Sequence, residues 1–208
     1  MPDETPQAAF WNRVARRYAA MPMRNPDAWE ETLARVTARL SPTDRVLELG
    51  CGTGSTALRL APLVAAYTAS DDAAEMVALT AERGTGIPTL QPLQARPGDG
   101  SLPTGPFDAI LAFNLLHLLA DLPTALAEAH TRLKPGGLLI TKTPCLGGRY
   151  LVLWPVVRAL RAMGKAPPLR FLAPPALERA ITGAGFTIEA RDDLPRKPPS
   201  RFLVARKT

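Results

Sequence analysis

Apolar residues recur at helical spacing over the first 40 residues, and then in short runs that alternate with further helical stretches. Residues 7–20 and 26–40 predict two amphipathic helices, separated by a turn that contains proline. Predicted strands then cover residues 45–49, 65–70, 87–93, 107–113, 138–143, 186–190 and 202–205. Predicted helices follow the first strand as far as residue 61 and also cover residues 73–83, 123–133 and 175–183. This alternation predicts an α/β three-layer sandwich, mostly parallel, with ligands at the carboxyl ends of the strands.

The composition limits the type of protein that the chain can be, but it does not identify a function. A length of 208 residues with 46% apolar content predicts one globular domain with a substantial core. The net charge of +6 fits nucleic acid, an anionic membrane surface or an acidic substrate as partner, but a generally arginine-rich composition explains it most simply. Because the chain has no dense basic run and no zinc-finger spacing, no nucleic-acid partner is expected.

The cysteines and the apolar runs indicate the compartment. Cys51 and Cys145 are too few and too isolated for a disulfide framework or a metal site, so no metal is expected. Two isolated thiols suit a reducing cytoplasm. The N-terminus lacks a basic segment followed by an apolar one, and no apolar run approaches the length of a membrane span. The predicted location is therefore cytoplasmic.

The stretch Val46–Gly54, Val-Leu-Glu-Leu-Gly-Cys-Gly-Thr-Gly, joins a predicted strand to a helix through three alternating glycines. Glycine allows a tight turn and close approach of a ligand to the backbone, so strand, turn and helix N-terminus predict a cofactor cradle. Dinucleotide loops usually read G-x-G-x-x-G, whereas the spacing here is G-x-G-x-G. The Glu48 carboxylate would repel a pyrophosphate and would suit a ligand with an ammonium and a sulfonium.

This stretch resembles motif I of the class I S-adenosylmethionine-dependent methyltransferases, and it implies S-adenosyl-L-methionine as the cofactor. The residues that the resemblance places at the cofactor are Glu48, Gly50, Cys51, Gly52 and Gly54. The resemblance spans roughly residues 44–204. It implies a Rossmann-like methyltransferase sandwich whose last two strands form an antiparallel hairpin, joined by a loop over residues 195–199. The turn Lys134-Pro-Gly-Gly137, which recurs in the family, is expected to separate a helix from the fifth strand.

Acids at the end of the second predicted strand extend the resemblance. Asp71 follows the glycine loop by about 20 residues, at the place where a carboxylate accepts from two ribose hydroxyls. The sequence around Asp71 resembles the family's second motif, which gives this residue the ribose-binding role. Either Asp71 or Asp72 could instead cap the next helix. We expect Asp71 on the ribose and Asp72 as the cap.

Two further positions are assigned by the resemblance. The family commonly has an acid after the third strand that holds the adenine amino group, and Gln94-Ala95 stands at that place. Gln94 can accept the same hydrogen bond through its amide oxygen, and Asp99 is a rival if its loop folds back. The strand that begins at Phe107 matches the fourth motif, which places Asn114 beside the methionine part of the cofactor.

His117 and Tyr18 are the candidates nearest to the chemistry. His117 could act as a base or touch the substrate, since its ordinary pKa lies near neutrality, or it could simply bond a backbone group; the second interpretation is favoured. In the family an N-terminal helix often lies over the cofactor as a lid. The stretch from Phe10 to Tyr18 resembles such a lid, and Tyr18 is its most plausible ligand contact.

Residues 145–175 interrupt the alternation of strand and helix and contain no acid. Their basic residues are Arg149, Arg158, Arg161, Lys165 and Arg170. In a helix, Val156, Leu160 and Met163 would share one face and the cations the other. The segment therefore covers an acceptor pocket, lies on an anionic membrane surface or simply packs on the protein; the first is favoured.

The function implied by the resemblance is in-line transfer of a methyl group from S-adenosylmethionine to a small-molecule acceptor, apolar or lipid-like, as in the quinone- and lipid-type members. Positioning and exclusion of water are the main tasks. A non-catalytic S-adenosylmethionine-binding module and an NAD-dependent oxidoreductase are the alternatives. The predicted single domain 1–208 divides into a helical lid (1–40), a cofactor-binding core (41–143), a substrate-covering insertion (144–173) and a C-terminal helix with two strands (174–208).

Overall fold

The computed structural model describes residues 4–196 and 199–208, with the backbone alone for Arg149 and Arg196. The strands in this part of the chain are β1 (Arg45–Leu49), β2 (Ala66–Asp71), β3 (Leu90–Gln94), β4 (Phe107–Phe113), β5 (Leu133–Pro144), β6 (Phe186–Arg196) and β7 (Pro199–Lys207). The α-helices are α1 (Pro6–Ala19), α2 (Pro26–Thr37), α3 (Ala57–Leu60), α4 (Ala74–Arg83), α5 (Leu122–Arg132), α6 (Trp154–Ala162) and α7 (Pro174–Gly183). Short 3-10 helices cover Ala61–Leu63, Leu116–Leu118 and Gly148–Leu153.

The strands form one sheet in the order β3-β2-β1-β4-β5-β7-β6. β1 to β5 run parallel to one another, whereas β7 runs antiparallel to both of its neighbours, β5 and β6. The predicted fold class, a mostly parallel α/β sandwich with an antiparallel C-terminal hairpin, is confirmed. The chain reverses its direction of winding between β1 and β4. At such a switch point a crevice opens at the carboxyl ends of the strands, so the loops after β1, β2 and β4 surround a candidate ligand site.

Some predicted boundaries are wrong where a local turn competes with strand pairing. β3 begins at Leu90 rather than at residue 87, because the Ile87 N–H bonds back to the Gly84 carbonyl in a turn. β5 begins at Leu133, which pairs with Phe107 before the register shifts. The Lys134–Gly137 stretch therefore lies inside a strand and does not separate a helix from one.

The C-terminal hairpin is also longer than predicted. Arg196 in β6 pairs with Pro199 in β7, so both strands enter the range 195–199 that was expected to be a loop. Lys197 and Pro198, which belong to that predicted loop, lie outside the described residues. On the N-terminal side, α2 ends at Thr37 rather than at residue 40.

Both faces of the sheet are covered, which explains why its central strands read as nearly continuous apolar runs. In β1, Leu47 and Leu49 face a core that α5 and α7 complete. Val46 points to the opposite face, where α2 and α3 close a second core. A smaller cluster joins α1 to α4 through Ala15 and Met76. α1, α3 and α4 thus lie on the half of the sheet that carries the glycine loop, whereas α2 contacts β5 and β6 on the other half.

One acid lies in the second core. The Glu48 side chain is only 2% exposed, and the Tyr67 hydroxyl donates a 2.8 Å hydrogen bond to its Oε2. Burial raises the pKa of Glu48 to about 8; the bond from Tyr67 opposes that rise, and the charge of Asp71 adds to it. At neutral pH the Glu48 carboxyl is therefore mostly protonated and forms a neutral pair with Tyr67.

The Glu48 pair makes stability depend on pH. The pKa of Glu48 is raised from 4.5 to about 8 in the native state, so its contribution to stability is complete below pH 4.5 and is lost as the pH rises towards 8. Within that range the free energy of unfolding should fall by at most about 1.4 kcal/mol per pH unit from this group. Urea unfolding of wild type and Glu48→Gln at several pH values tests this. The variant should show the flatter profile; parallel profiles for the two proteins would contradict the assignment.

Candidate functional site

The glycine loop after β1 is built from three residues in the left-handed region. The φ angles of Gly50, Gly52 and Gly54 are +67°, +56° and +78°. A Cβ at Gly50 would lie 2.8 Å from a Leu115 side-chain carbon, and one at Gly54 would lie 2.8 Å from the Thr80 Oγ1. A Cβ at Gly52 would meet no heavy atom within 4 Å. Gly50 and Gly54 therefore allow close packing, whereas Gly52 borders open space where a ligand can approach the backbone.

Asp71 joins the glycine loop to the end of β2. Its Oδ2 accepts from the Gly52 N–H at 2.9 Å, and its Oδ1 accepts from the Ala73 N–H at 2.9 Å. Burial raises the pKa of Asp71, while the bonds from Ala73 and Gly52 oppose that rise. Each carboxylate oxygen can accept more than one bond, so Asp71 retains capacity to accept from a ligand at Gly52.

The expectation that Asp72 caps α4 is wrong. Ala73 occupies the N-cap position and makes no side-chain capping bond. The Asp72 Oδ2 instead accepts a 2.6 Å hydrogen bond from Thr5, the residue that caps α1, and lies 3.8 Å from Arg96. Tertiary contact between α1 and the end of β2 therefore takes the place of a local cap.

Glu48 and Cys51 lie beneath the loop rather than in the open space. The Cys51 side chain is 7% exposed, its sulfur lies 3.7 Å from the Thr80 Oγ1, and burial raises its pKa. The Glu48 carboxyl is paired with Tyr67, as described above. The contact between Glu48 and a cationic ligand stays a prediction, in which the Glu48 carboxyl would have to reach the ligand from its bond with Tyr67. The Cys51 backbone is also bonded within the fold, since its N–H donates to the Ser70 carbonyl at 2.9 Å and its carbonyl accepts from the Gly54 N–H at 3.0 Å.

The residues after β3 lie beside Asp71. The Ala95 N–H donates to the Asp71 carbonyl at 3.0 Å, and Gln94 stands opposite Asp71 in the pairing of β2 with β3. The exposed Gln94 side chain donates through Nε2 to the Asp72 carbonyl at 3.2 Å. The rival residue, Asp99, is occupied by the Ser101 N–H at 2.9 Å and by Arg96 at 3.0 Å.

Asn114 ends β4 in a left-handed conformation, with φ of 56°, which asparagine tolerates better than most residues. Its N–H donates to the Lys142 carbonyl at 2.7 Å, so the ends of β4 and β5 are joined and the exposed Asn114 side chain lies at the carboxyl edge. The fold thus brings Gly52, Asp71, Ala95 and Asn114 to one edge of the sheet, as the resemblance implies.

His117 lies in the 3-10 helix after β4. Its carbonyl accepts from the Arg170 N–H at 2.7 Å, while its Nδ1 is buried without a hydrogen-bond partner among the described residues. Burial lowers the pKa of His117 to about 4, so the ring is neutral at pH 7. The ring can accept a proton but is a weak base. The contact with Arg170 is made by the main-chain carbonyl of His117, so both interpretations of the imidazole stay predictions.

The helix α1 borders the site along α4. Beyond the Thr5–Asp72 bond, the Asn12 Oδ1 accepts from the Glu75 N–H at 2.9 Å. Tyr18 is 48% exposed and lies edge-on to Trp11, with ring centroids 5.5 Å apart. The side chain of Tyr18 is therefore accessible on the helix that was predicted to be the lid.

The two ends of the insertion, residues 144–173, lie close together in space. The Gly147 N–H donates to the Leu172 carbonyl at 2.8 Å, which closes the segment at its base. Its far end meets α1, where Arg13 donates to the Gly164 carbonyl at 2.8 Å. Arg170 contacts the carbonyls of His117 and Ala120 in the loop after β4. The insertion and α1 therefore both adjoin the carboxyl edge of the sheet.

Sequence reasoning missed Lys142. This residue is 9% exposed, and its ammonium donates to the Thr32 hydroxyl at 2.8 Å and the Ala28 carbonyl at 3.2 Å, both on α2. Burial lowers its pKa, against the charge of Glu31. A lysine in an otherwise apolar strand was the available signal. Among residues 4–196 and 199–208, no group of three or more His, Cys, Asp or Glu side chains is arranged to hold a metal ion.

Known proteins resemble the chain in both sequence and fold. A family model described as a methyltransferase domain matches residues 19–191. A ubiquinone biosynthesis O-methyltransferase of Xanthomonas axonopodis pv. citri (strain 306) is 31% identical over 165 residues, which cover 76% of this chain and 69% of that protein. The highly reducing polyketide synthase lcsB of Purpureocillium lilacinum is 28% identical over 133 residues, 58% of this chain, but the match spans only 5% of that protein's length.

The fold agrees with a solved structure of the same class. An S-adenosylmethionine-dependent methyltransferase from Mesorhizobium loti superposes with a TM-score of 0.69 at 19% identity, over 84% of this chain and 96% of that one. Identity at that level supports the fold alone, whereas the family match extends over most of the sequence. The chain therefore belongs to the methyltransferase domain family, and it is an S-adenosylmethionine-dependent methyltransferase.

Proposed function

We propose that this methyltransferase holds S-adenosylmethionine at the carboxyl ends of β1 and β2, with Gly52 and Asp71 as the central contacts. The open space above Gly52 carries the proposal, because Gly50 and Gly54 are covered by Leu115 and Thr80. Asp71 borders that space through its bond from the Gly52 N–H. A carboxylate held there can accept from two adjacent ribose hydroxyls.

The other predicted residues take supporting positions around those contacts. We assign Gln94 and the Ala95 backbone to the adenine, and Asn114 to the methionine part, because all three lie at the same edge as Asp71. Tyr18 lies on the helix at the rim of the site. Asp72 acts indirectly by fixing the start of α1 through Thr5.

Methyl transfer depends on the relative positions of the methyl donor and the acceptor rather than on a strong base. S-adenosylmethionine supplies a methyl carbon that its sulfonium leaving group activates for in-line displacement. The protein contributes orientation and exclusion of water, to which α1 and the insertion contribute by bordering the carboxyl edge. His117 is neutral at pH 7 and is the candidate proton acceptor where the acceptor hydroxyl must lose its proton.

We assign the acceptor to the class of hydroxylated aromatic rings with an apolar substituent. The name of the Xanthomonas relative, a ubiquinone biosynthesis O-methyltransferase, motivates this class. The insertion bonds the loop that carries His117 through the Arg170 backbone, and its Leu172 packs on the same core as Leu116 and Leu119, which suits an acceptor with an apolar body. A phenolic hydroxyl is far more acidic than an aliphatic one, so it demands less of a weak base such as His117 than an aliphatic alcohol does.

An acceptor screen tests the proposed function. Catechols and quinols with and without an apolar tail, together with amines, thiols and aliphatic alcohols, are incubated with the protein and S-adenosylmethionine. The readout is release of S-adenosylhomocysteine. We expect turnover of the phenolic acceptors, and faster turnover of those with a tail. Turnover of amines or thiols alone would reject the acceptor class, and tight cofactor binding with no turnover would favour a binding module.

Asp71 and its neighbour Asp72 provide a matched pair. Asp71→Ala should weaken binding of S-adenosylhomocysteine by about 1.5–3 kcal/mol, as expected for hydrogen bonds to a charged group. Asp72→Ala removes the adjacent carboxyl, which bonds Thr5 instead, and should leave affinity within about twofold of wild type. Calorimetric titration of both folded variants measures the difference. Equal losses for the two variants would remove the special role of Asp71.

Alanine substitutions at Gly52 and at Gly136 distinguish the loss of a ligand contact from the effect of backbone strain. Both have positive φ, +56° and +73°, and neither has a heavy atom within 4 Å of a Cβ position. Gly136 lies in β5 at the opposite edge of the sheet. Alanine at either position should cost roughly 1–2 kcal/mol of stability through the left-handed backbone. Only Gly52→Ala should also weaken S-adenosylhomocysteine binding, by about tenfold or more, or about 1.4 kcal/mol. Unchanged affinity in Gly52→Ala would place the ligand elsewhere.

His117→Gln tests the proton-acceptor role. If the imidazole accepts the proton, kcat for a phenolic acceptor should fall roughly 100-fold while the dissociation constant of S-adenosylhomocysteine stays unchanged. Because the pKa of His117 is lowered to about 4, wild-type kcat should not show a loss between pH 7 and pH 5 from this group. A variant with wild-type kcat would leave His117 with its backbone role only.

A further inference from the structure

We infer that the insertion and the end of α1 form a surface that docks on an anionic lipid bilayer. The docking surface consists of residues 148–165, which include the 3-10 helix Gly148–Leu153 and α6, together with residues 18–24. Its largest exposed apolar side chains in the insertion are Leu151, Val152, Leu153, Trp154, Val156 and Met163. The inference goes beyond the proposed function, because binding to a bilayer requires neither the cofactor nor an acceptor.

The apolar side chains of the docking surface are not covered by the protein. Val152 is 77% exposed, Val156 is 58% exposed and Met163 is 57% exposed. Among the seven α-helices of the described chain, α6 is the one with no buried residue. Of its apolar side chains, Val157 and Leu160 are half-buried, whereas Val156 and Met163, the residue after α6, are exposed. Contiguous exposed apolar side chains of this kind mark an interaction surface.

The charges of the docking surface favour an anionic bilayer as the occupant. The sequence from Cys145 to Pro175 contains no acid, and the exposed cations of the helical part are Arg158, Arg161 and Lys165. An amphipathic helix with a basic face and exposed apolar side chains is typical of helices that lie in the membrane interface. A second copy of the chain would bring cations against cations, whereas anionic headgroups complement them.

Trp154 and Arg158 have the arrangement expected at a lipid interface. The Arg158 guanidinium lies over the Trp154 ring, 5.2 Å from its centroid, and Trp154 is 47% exposed. An indole combines an apolar body with a polar N–H, and an arginine covers apolar surface with its stem while its charge stays in water. The pair can therefore lie at the boundary between acyl chains and headgroups.

The end of α1 extends the docking surface. The bond from Arg13 to the Gly164 carbonyl joins α1 to the end of the insertion. Beyond it, Tyr18, Met21 and Met23 are 48%, 55% and 46% exposed. No helix in the described residues is both long and apolar enough to cross a bilayer, and the docking inferred here is peripheral. If the proposed function also holds, an acceptor dissolved in the bilayer reaches the site between α1 and the insertion.

Vesicle sedimentation of the full chain, without cofactor or acceptor, tests the inference. Sucrose-loaded vesicles of phosphatidylcholine alone and of phosphatidylcholine with 30% phosphatidylglycerol are compared at low and high salt. We expect binding to the anionic vesicles, weakened by salt because the attraction is screened. Arg158→Glu with Arg161→Glu should lower the partition coefficient about tenfold or more, and Val152→Asp with Val156→Asp should do the same. No wild-type binding at low salt overturns the inference.

A matched control and a second measurement keep the test decisive. Arg179→Glu with Arg191→Glu changes the same charge on exposed positions of α7 and β6, outside the docking surface, and should bind vesicles like wild type. Vesicles should also shift the tryptophan fluorescence of wild type to the blue, and Trp154→Phe should lose that shift. Equal vesicle affinities for all variants, or a solution dimer that the Val152 and Val156 substitutions dissociate, would overturn the inference. Binding of S-adenosylhomocysteine, measured separately, reports on the proposed function and confirms that each variant is folded.

Discussion

The bond from the Gly52 N–H to the Asp71 carboxylate is the interaction on which the arrangement of the site depends. The loop after β1 has three left-handed residues within five positions, and it leaves the hydrogen-bond ladder of the sheet after the Cys51 N–H, which still donates to the Ser70 carbonyl in β2. Asp71, fixed at the end of β2, accepts from this loop and from the start of α4 with one carboxyl group. Because β1 and β2 are neighbours in a parallel sheet, their carboxyl ends are adjacent. The hydrogen bonds that the Asp71 carboxyl accepts there fix the backbone conformation of the glycine loop.

Contacts from α4 also hold the glycine loop in place. The Thr80 hydroxyl donates to the Gly52 carbonyl at 3.0 Å, and its side chain fills the space that a Cβ at Gly54 would need. The loop is therefore fixed on both sides of Gly52, while the space above Gly52 stays open. A rigid backbone around one accessible position is what preorganised binding requires, since little conformational entropy then remains to be lost when a ligand arrives.

The sequence predicted the strand alternation, the sheet class and the residues that meet at the carboxyl edge. Those features follow from period and spacing, which are local properties of the chain. The hydrogen-bond partner of Glu48, the partner of Asp72 and the burial of Lys142 could not be predicted in the same way. Each depends on a residue distant in sequence, such as Tyr67 for Glu48 or Thr5 for Asp72. Local rules assigned Asp72 a helix cap because the competing tertiary bond has no signature in its neighbourhood.

The closure of the insertion at its base has a consequence for how such a protein can change. Gly147 and Leu172 are joined by one hydrogen bond, and a Cβ at Gly147 would lie 2.5 Å from the Ala173 nitrogen, so β5 leaves and α7 begins at nearly the same place. The entropic cost of closing a longer or shorter excursion between fixed ends grows only slowly with its length. The 24 intervening residues, 148–171, form an exchangeable cassette. Replacing it would change the surface beside the proposed cofactor site without altering β1 and β2, whose ends form that site.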